Sequence, residues 1–227
     1  MLQPPRFFNH YSLWIELIYS LIVIISCLLI YFRTKELYAL TSHKGIKYFR
    51  DTFLFFGITF AVRFFLRLII ALRLDTFTRG HFPFGIFELA FFIMIYASSM
   101  ALIYLMCSIF WKKLNKNANT FLFNSISLLV ALASITLRIP LVFLVFQSML
   151  FLFLLAIGYS NYKKAGHDKN FSQMYFTYLL IFVLWLVSNV LEFVVHFSPA
   201  FGLITYVISI ILFLAILHKV LAKVKYK

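Results

Sequence analysis

Charged residues are scarce in this chain, and acidic residues are the scarcest of them. Only 12% of its 227 residues are charged, and seven acids stand against 21 lysines and arginines. Hydrophobic residues make up 63%, with a mean hydropathy of +0.96, whereas soluble domains are roughly 45–50% apolar. This composition predicts an all-α, polytopic integral membrane protein.

Residue types that carry common catalytic chemistry are also rare. The two cysteines, Cys27 and Cys107, lie in apolar runs without a CxxC spacing, so they indicate neither a thiol oxidoreductase nor a metal site. They are interpreted as small core residues. No HExxH motif occurs, and of the six histidines only His196 lies near an acid inside an apolar run. The sequence therefore indicates neither an enzyme nor a metal centre.

Lysine is missing where a retinal protein needs it. No lysine occurs between Lys47 and Lys112, and the last apolar run, residues 199–217, has none. A retinal Schiff base requires an intramembrane lysine, so retinal is excluded, and no other cofactor is indicated. Glycine is scarce, with seven copies, and the prolines of the spans sit at their ends, which argues against a transporter built from broken helices.

Apolar runs of the length that a bilayer requires, about 20 residues, recur seven times. They predict one domain, residues 1–227, that is a seven-transmembrane-helix bundle with no soluble domain. The predicted spans are 11–32, 47–74, 84–111, 119–138, 140–162, 172–195 and 199–218. Ser42, His43 and Gly45 predict the turn before the second span. The first run lacks the charged flank and cleavage site of a signal peptide, so we expect it to be retained.

The basic residues orient this bundle. Most of them follow the first, third, fifth and seventh spans, so the positive-inside rule predicts the N-terminus outside and the C-terminus in the cytoplasm of a multi-pass cell-membrane protein. Because these loops account for the formal charge of +14, nucleic acid is not an expected partner. The lipid bilayer is one, and the lysine-rich tail, residues 219–227, is interpreted as a headgroup anchor, with a protein-docking helix as the alternative.

Two arginines interrupt the second span. Arg63 and Arg67 are four residues apart and so share one helix face. A charge at the bilayer centre costs roughly 2.5–3.5 kcal/mol on insertion scales, so we expect Arg67 to pair with at least one acid. Glu16, Glu88 and Glu192 each lie roughly 5–6 Å below the outer end of another span, and Arg67 roughly 10 Å below that of its own.

These charges predict an outward-facing pocket. The candidate ligand-binding residues share the outer third of the membrane or lie one turn from it, and they are Arg63, Arg67, Glu16, Glu88, Glu192, Asn189 and His196. Arg63, one turn deeper than Arg67, is the candidate for a ligand's negative group. Two alternatives stay open: salt bridges that only fix helix packing, and snorkelling of Glu16 and Glu88 to the headgroups.

The predicted function is that of a sensor or receptor-like module. A small ligand or ion would bind the charged pocket, and a separate cytoplasmic signalling protein would dock on the basic loops or the tail. The alternative is a small secondary transporter or channel that uses the same charges as its pathway. In topology and size alone, the bundle resembles the seven-helix sensory modules at the N-terminus of some prokaryotic sensor kinases.

Overall fold

The described residues of the computed structural model are helical, apart from Ser42 and His43 at one turn. The structure describes residues 10–71, 85–110, 118–136, 145–153, 155–156, 159, 181, 183 and 199–225. Within them the helices are α1 (His10–Thr41), α2 (Lys44–Ala71), α3 (Gly85–Phe110), α4 (Ala118–Thr136) and α5 (Pro199–Lys225). Residues 145–153 are helical as well.

Three helices of the described part are long and apolar enough to cross a membrane. Their spans are Trp14–Thr41 in α1, Lys44–Ile69 in α2 and Phe87–Ser108 in α3, and α4 and α5 contain the shorter apolar stretches Phe121–Thr136 and Tyr206–His218. The prediction of an all-α membrane protein with transmembrane helices is confirmed at this level. The predicted sixth span, 172–195, lies outside the described residues except for 181 and 183.

The turn between α1 and α2 falls at Ser42 and His43, where the sequence places it. Ser42 has a φ of 50°, and its N–H donates to the carbonyl oxygen of Tyr38 at 2.8 Å, which ends α1. The polar segment before this turn is helical rather than a loop. Thr34 supports the helix there by donating its hydroxyl proton to the Ile30 carbonyl at 2.6 Å.

The described helices contact one another in the order α5, α1, α2, α3, α4. α1 contacts α2 and α5, while α3 contacts α2 and α4. Gly57 of α2 faces Cys27 of α1, and a Cβ built on Gly57 would lie 3.5 Å from Cβ of Cys27, an ordinary packing distance. Cys27 and Cys107 are buried and free, which confirms their interpretation as core residues.

Several hydroxyl groups inside the apolar helices bond to the backbone of their own helix. Ser26 donates to the Ile22 carbonyl at 2.8 Å, Thr52 to Tyr48 at 3.0 Å and Ser134 to Val130 at 2.8 Å. Each is a bond to the carbonyl four residues earlier. These side chains are thereby satisfied without water, as the hydrocarbon region requires.

Large apolar side chains remain exposed along one side of α1. They are Trp14, Ile18, Leu21, Ile25, Leu28, Leu29 and Phe32. An apolar stripe of this length is expected where lipid rather than water covers a helix. The opposite side of α1 carries the buried residues Glu16, Tyr19 and Val23, and it forms the candidate site.

Candidate functional site

The candidate site is built around Glu16, which is 6% exposed in the N-terminal part of α1. α1 packs between α2 and α5, so a side chain on its buried side meets residues of both helices. Tyr19 lies three positions further along and Val23 seven, which places all three on one helix face. The packing of α1 against both helices thus buries the Glu16 carboxylate between them.

Two side chains hold this carboxylate. The Tyr206 hydroxyl of α5 donates a hydrogen bond to Oε1 of Glu16 at 2.6 Å. Nε of Arg67 in α2 approaches Oε2 at 2.8 Å. Oε2 is buried, and its contact with the Arg67 guanidinium is an ion pair. Glu16 therefore links α1, α2 and α5.

Arg63 lies one helical turn deeper than Arg67 and is half-buried. Both guanidinium groups lie close enough to the Tyr206 hydroxyl to interact with it electrostatically. The Arg67 side chain is 24% exposed, against 8% for Glu16. Within the described residues of the site, Arg67 thus pairs with the carboxylate, and its guanidinium is the more accessible of the two groups.

A second polar contact lies one turn below Glu16. Tyr19 of α1 and Ser209 of α5 share a buried hydrogen bond of 2.8 Å. The rings of Tyr19 and Tyr206 pack with centroids 4.9 Å apart. The polar contacts between α1 and α5 therefore continue inward from Glu16 by one helical turn.

Apolar side chains close the site below Tyr19. Phe60 of α2 packs edge-on against Tyr19, with centroids 5.9 Å apart. It makes the same type of contact with Phe213 of α5 at 6.1 Å. Val23 is fully buried in this layer. Among the described residues, the charged and polar groups of the site thus lie on one side of an aromatic layer.

The structure brings together some of the residues that the sequence predicts for the site. The predicted pairing of Arg67 with an acid is confirmed, and the acid is Glu16. Glu88 is exposed in the first turn of α3, and α3 packs against α2 and α4. Glu192, Asn189 and His196 lie outside the described residues, so their place in the site stays a prediction.

Sequence reasoning missed three residues of the site: Tyr206, Tyr19 and Ser209. The signal that finds them is a helical spacing of polar groups. Tyr206 and Ser209 are three residues apart, as are Glu16 and Tyr19, and each pair lies inside an apolar run. If the two helices are neighbours, the two hydroxyl groups on one helix face can hydrogen-bond to the carboxylate and the hydroxyl at the same spacing on the other.

A further polar cluster joins α3, α4 and the helical residues 145–153. The buried Gln147 donates to the Ser98 hydroxyl, and the Tyr96 hydroxyl donates to Oδ1 of Asn124 at 3.1 Å. Ser127 of α4 is also fully buried. Polar residues of this fourth span thus contact the neighbouring helix α3.

Comparison with known proteins identifies a relative of nearly the same length. A protein of Archaeoglobus fulgidus, described as uncharacterized, is 32% identical over 224 residues, which make up 97% of this chain and 97% of that protein. No protein-family model matches the chain. No solved structure matches it either.

Proposed function

This chain belongs to the family of the Archaeoglobus fulgidus protein, and we propose that it is a membrane-embedded sensor. In this proposal the chain forms a seven-helix bundle in the cell membrane, with its N-terminus outside. The three long apolar helices of the described residues and the charge asymmetry of the loops support this arrangement. The Glu16 site then opens toward the outside.

The observation that carries the proposal is the carboxylate of Glu16 between Arg67 and Tyr206. Ionisable residues inside the membrane are costly, and by default they mark a binding site or pathway. A purely structural pair gains little over apolar packing of the same volume. A small ligand with a negative group would compete with the Glu16 carboxylate for Arg67, and we expect Arg63, one turn deeper, to contact it as well.

A sensor is favoured over a transporter by the aromatic layer of Phe60 and Phe213 below the site. A transported solute would have to separate this layer, whereas a sensed ligand would not. The runner-up function is a small secondary transporter or channel. The Tyr19–Ser209 contact supports it, because it extends the polar groups inward by one turn.

The contacts of Glu16 suggest how ligand binding would reach the cytoplasm. A ligand that binds Arg63 and Arg67 competes with the Glu16 carboxylate for the same charge. Glu16 also accepts the hydrogen bond of Tyr206, so its displacement would change how α5 sits against α1 and α2. α5 continues to Lys225, and its inner end would carry the change to a partner protein.

A thermal-shift screen of the purified protein tests this function. Small carboxylates, inorganic phosphate, amino acids and amines are added one at a time, and we expect a stabilising anion. The Arg63→Leu variant should lose the shift, while Arg33→Leu, an exposed arginine at the other end of the helices, should keep it. Uptake of the stabilising compound into proteoliposomes would favour the transporter instead.

A further inference from the structure

α1 is longer than the bilayer is thick. Trp14 is exposed and is suited to the outer interface, where tryptophan is enriched. From there about 20 residues cross a hydrocarbon core of about 30 Å, which places the inner boundary near Arg33. The helix continues to Thr41. Its last turns, with the first turn of α2, therefore project about 10 Å beyond the hydrocarbon.

We call this projection, residues 33–47, the hairpin tip. Arg50 of α2 contacts residues of α1 next to it and so holds the two helices together there. The Arg50 guanidinium lies over the rings of Tyr31 and Tyr38, at 5.3 and 5.8 Å from their centroids. Its Nε and Nη2 also donate to Oδ1 of Asp51 at 2.9 and 2.7 Å. A cation held by two rings and a carboxylate restrains both helices at the base of the tip.

The surface of the hairpin tip combines one apolar side chain with several cations. Leu40 is 80% exposed, more than any other large apolar residue of the described part. Lys35, Lys44 and Lys47 of the same hairpin tip are exposed as well. Lys44 and Lys47 lie in the first turn of α2, which contains no acid, so they add to the positive end of the helix dipole. The C-terminal end of α1 carries a partial negative charge, which offsets only part of the positive charge of the lysines and of the α2 N-terminus.

We propose that the hairpin tip docks an acidic protein that receives Leu40 in an apolar pocket and pairs its acidic rim with Lys35, Lys44 and Lys47. This rests on the proposed sensor function, for which it names the surface that the cytoplasmic partner contacts. An apolar anchor surrounded by complementary charges is the usual anatomy of a protein interface. A rigid base lowers the entropy that the tip loses on binding.

Lipid is the competing occupant, and the geometry disfavours it. The headgroup layer extends only about 5–7 Å beyond the hydrocarbon, and Leu40 lies about 10 Å beyond Arg33. A second copy of the chain is disfavoured by charge. The exposed acid of the hairpin tip, Glu36, is already paired with Arg33 at 3.2 Å, and the whole chain carries a formal charge of +14.

The first test measures the depth of Leu40 in liposomes of the full-length protein. A spin label on Leu40→Cys is exposed to a water-soluble nickel reagent and to oxygen, and a label on the lipid-facing Ile25→Cys is the control. We expect water-like accessibility at position 40 and lipid-like accessibility at position 25. Lipid-like accessibility at both would overturn the proposal in favour of a membrane anchor.

The second test identifies the partner in cells of the native host. A photo-crosslinking amino acid replaces Leu40 or, as control, Ile25, and the crosslinked peptide is sequenced by mass spectrometry. We expect a protein crosslink at position 40 alone, to an acidic contact segment. The Lys44→Gln/Lys47→Gln variant should lower its yield about tenfold, and Lys163→Gln/Lys164→Gln, in another basic loop, should not.

A crosslink to lipid, to a basic segment, or to no protein at all would overturn the docking surface. The same variants are measured for the ligand-induced thermal shift, which separates the two proposals. A retained shift without a crosslink refutes the docking surface alone. A crosslink without any ligand-induced shift refutes the ligand site and leaves the docking surface standing.

Discussion

The Tyr206 hydroxyl donates a 2.6 Å hydrogen bond to the Glu16 carboxylate across 190 residues of chain. It ties the last described helix to the first, at the level where Arg67 pairs with the same carboxylate. Any ligand that draws the guanidiniums away from Glu16 therefore acts on a contact that α5 shares. This contact is where ligand binding and helix movement meet in our account.

The first prediction concerns the ion pair itself. Arg67→Leu should lower the free energy of unfolding by about 3–5 kcal/mol, because it leaves the Glu16 carboxylate buried without its counter-ion. Adding Glu16→Gln should restore much of this loss, since the stranded charge is removed. Thermal unfolding of the two single variants and the double variant in detergent measures the coupling.

Glu88→Gln is the matched control for this cycle, because Glu88 is exposed on α3. It should not rescue Arg67→Leu. Melting temperatures that add simply for Arg67→Leu and Glu16→Gln would show that the two charges do not interact. Rescue of Arg67→Leu by Glu88→Gln instead would show that Glu88, and not Glu16, is the partner of Arg67.

The second prediction compares two tyrosine hydroxyls. Tyr206→Phe removes a buried bond to a charged acceptor and should destabilise the protein by about 1.5–3 kcal/mol. Tyr96→Phe removes a part-buried bond to the Asn124 amide, worth about 0.5–1.5 kcal/mol. Equal losses in thermal unfolding would mean that Glu16 is not held as a charged acceptor.

Much of the fold follows from sequence because bilayer thickness dictates the length of apolar runs. The pairing of Arg67 with an acid follows from the same physics, since a charge in hydrocarbon needs a partner. Which acid it is does not follow. That choice depends on α1 being the neighbour of both α2 and α5, and apolar helices without a polar face carry no signal for the order of their packing. Tyr206 was missed for this reason.

The length of α1 shows a second limit of prediction from sequence, which is the position of a helix end. Basic and polar residues after Phe32 end the apolar run, so the predicted span ends there. The helix itself continues through these residues. Thr34, which bonds to the Ile30 carbonyl, and the Arg33–Glu36 pair are compatible with helical backbone. The helix ends only at Ser42, where the backbone takes a positive φ.

The third prediction is the orientation of the bundle. In intact cells, a membrane-impermeant thiol reagent should label Thr78→Cys, in the loop after the second span, and should not label Lys164→Cys. Both positions lie outside the described residues and follow from the charge asymmetry alone. The opposite pattern would place the Glu16 site on the cytoplasmic side.

The fourth prediction concerns the base of the hairpin tip. Arg50→Lys keeps the charge but loses the planar fork that bonds Asp51 and stacks on Tyr31 and Tyr38. A spin label on His43→Cys should therefore become more mobile in this variant. Arg33→Lys, at an exposed pair, is the control and should leave the mobility unchanged. Equal mobility in both variants would mean that Arg50 does not fix the base of the tip.

The ligand-induced thermal shift of Arg63→Leu, measured with the stabilising anion from the screen, shows whether a ligand's negative group binds at the Glu16 site. Arg63 is half-buried beside the Glu16 site. We expect the variant to gain no stability when the anion is added. A full shift in Arg63→Leu would contradict the binding of a ligand's negative group at this site.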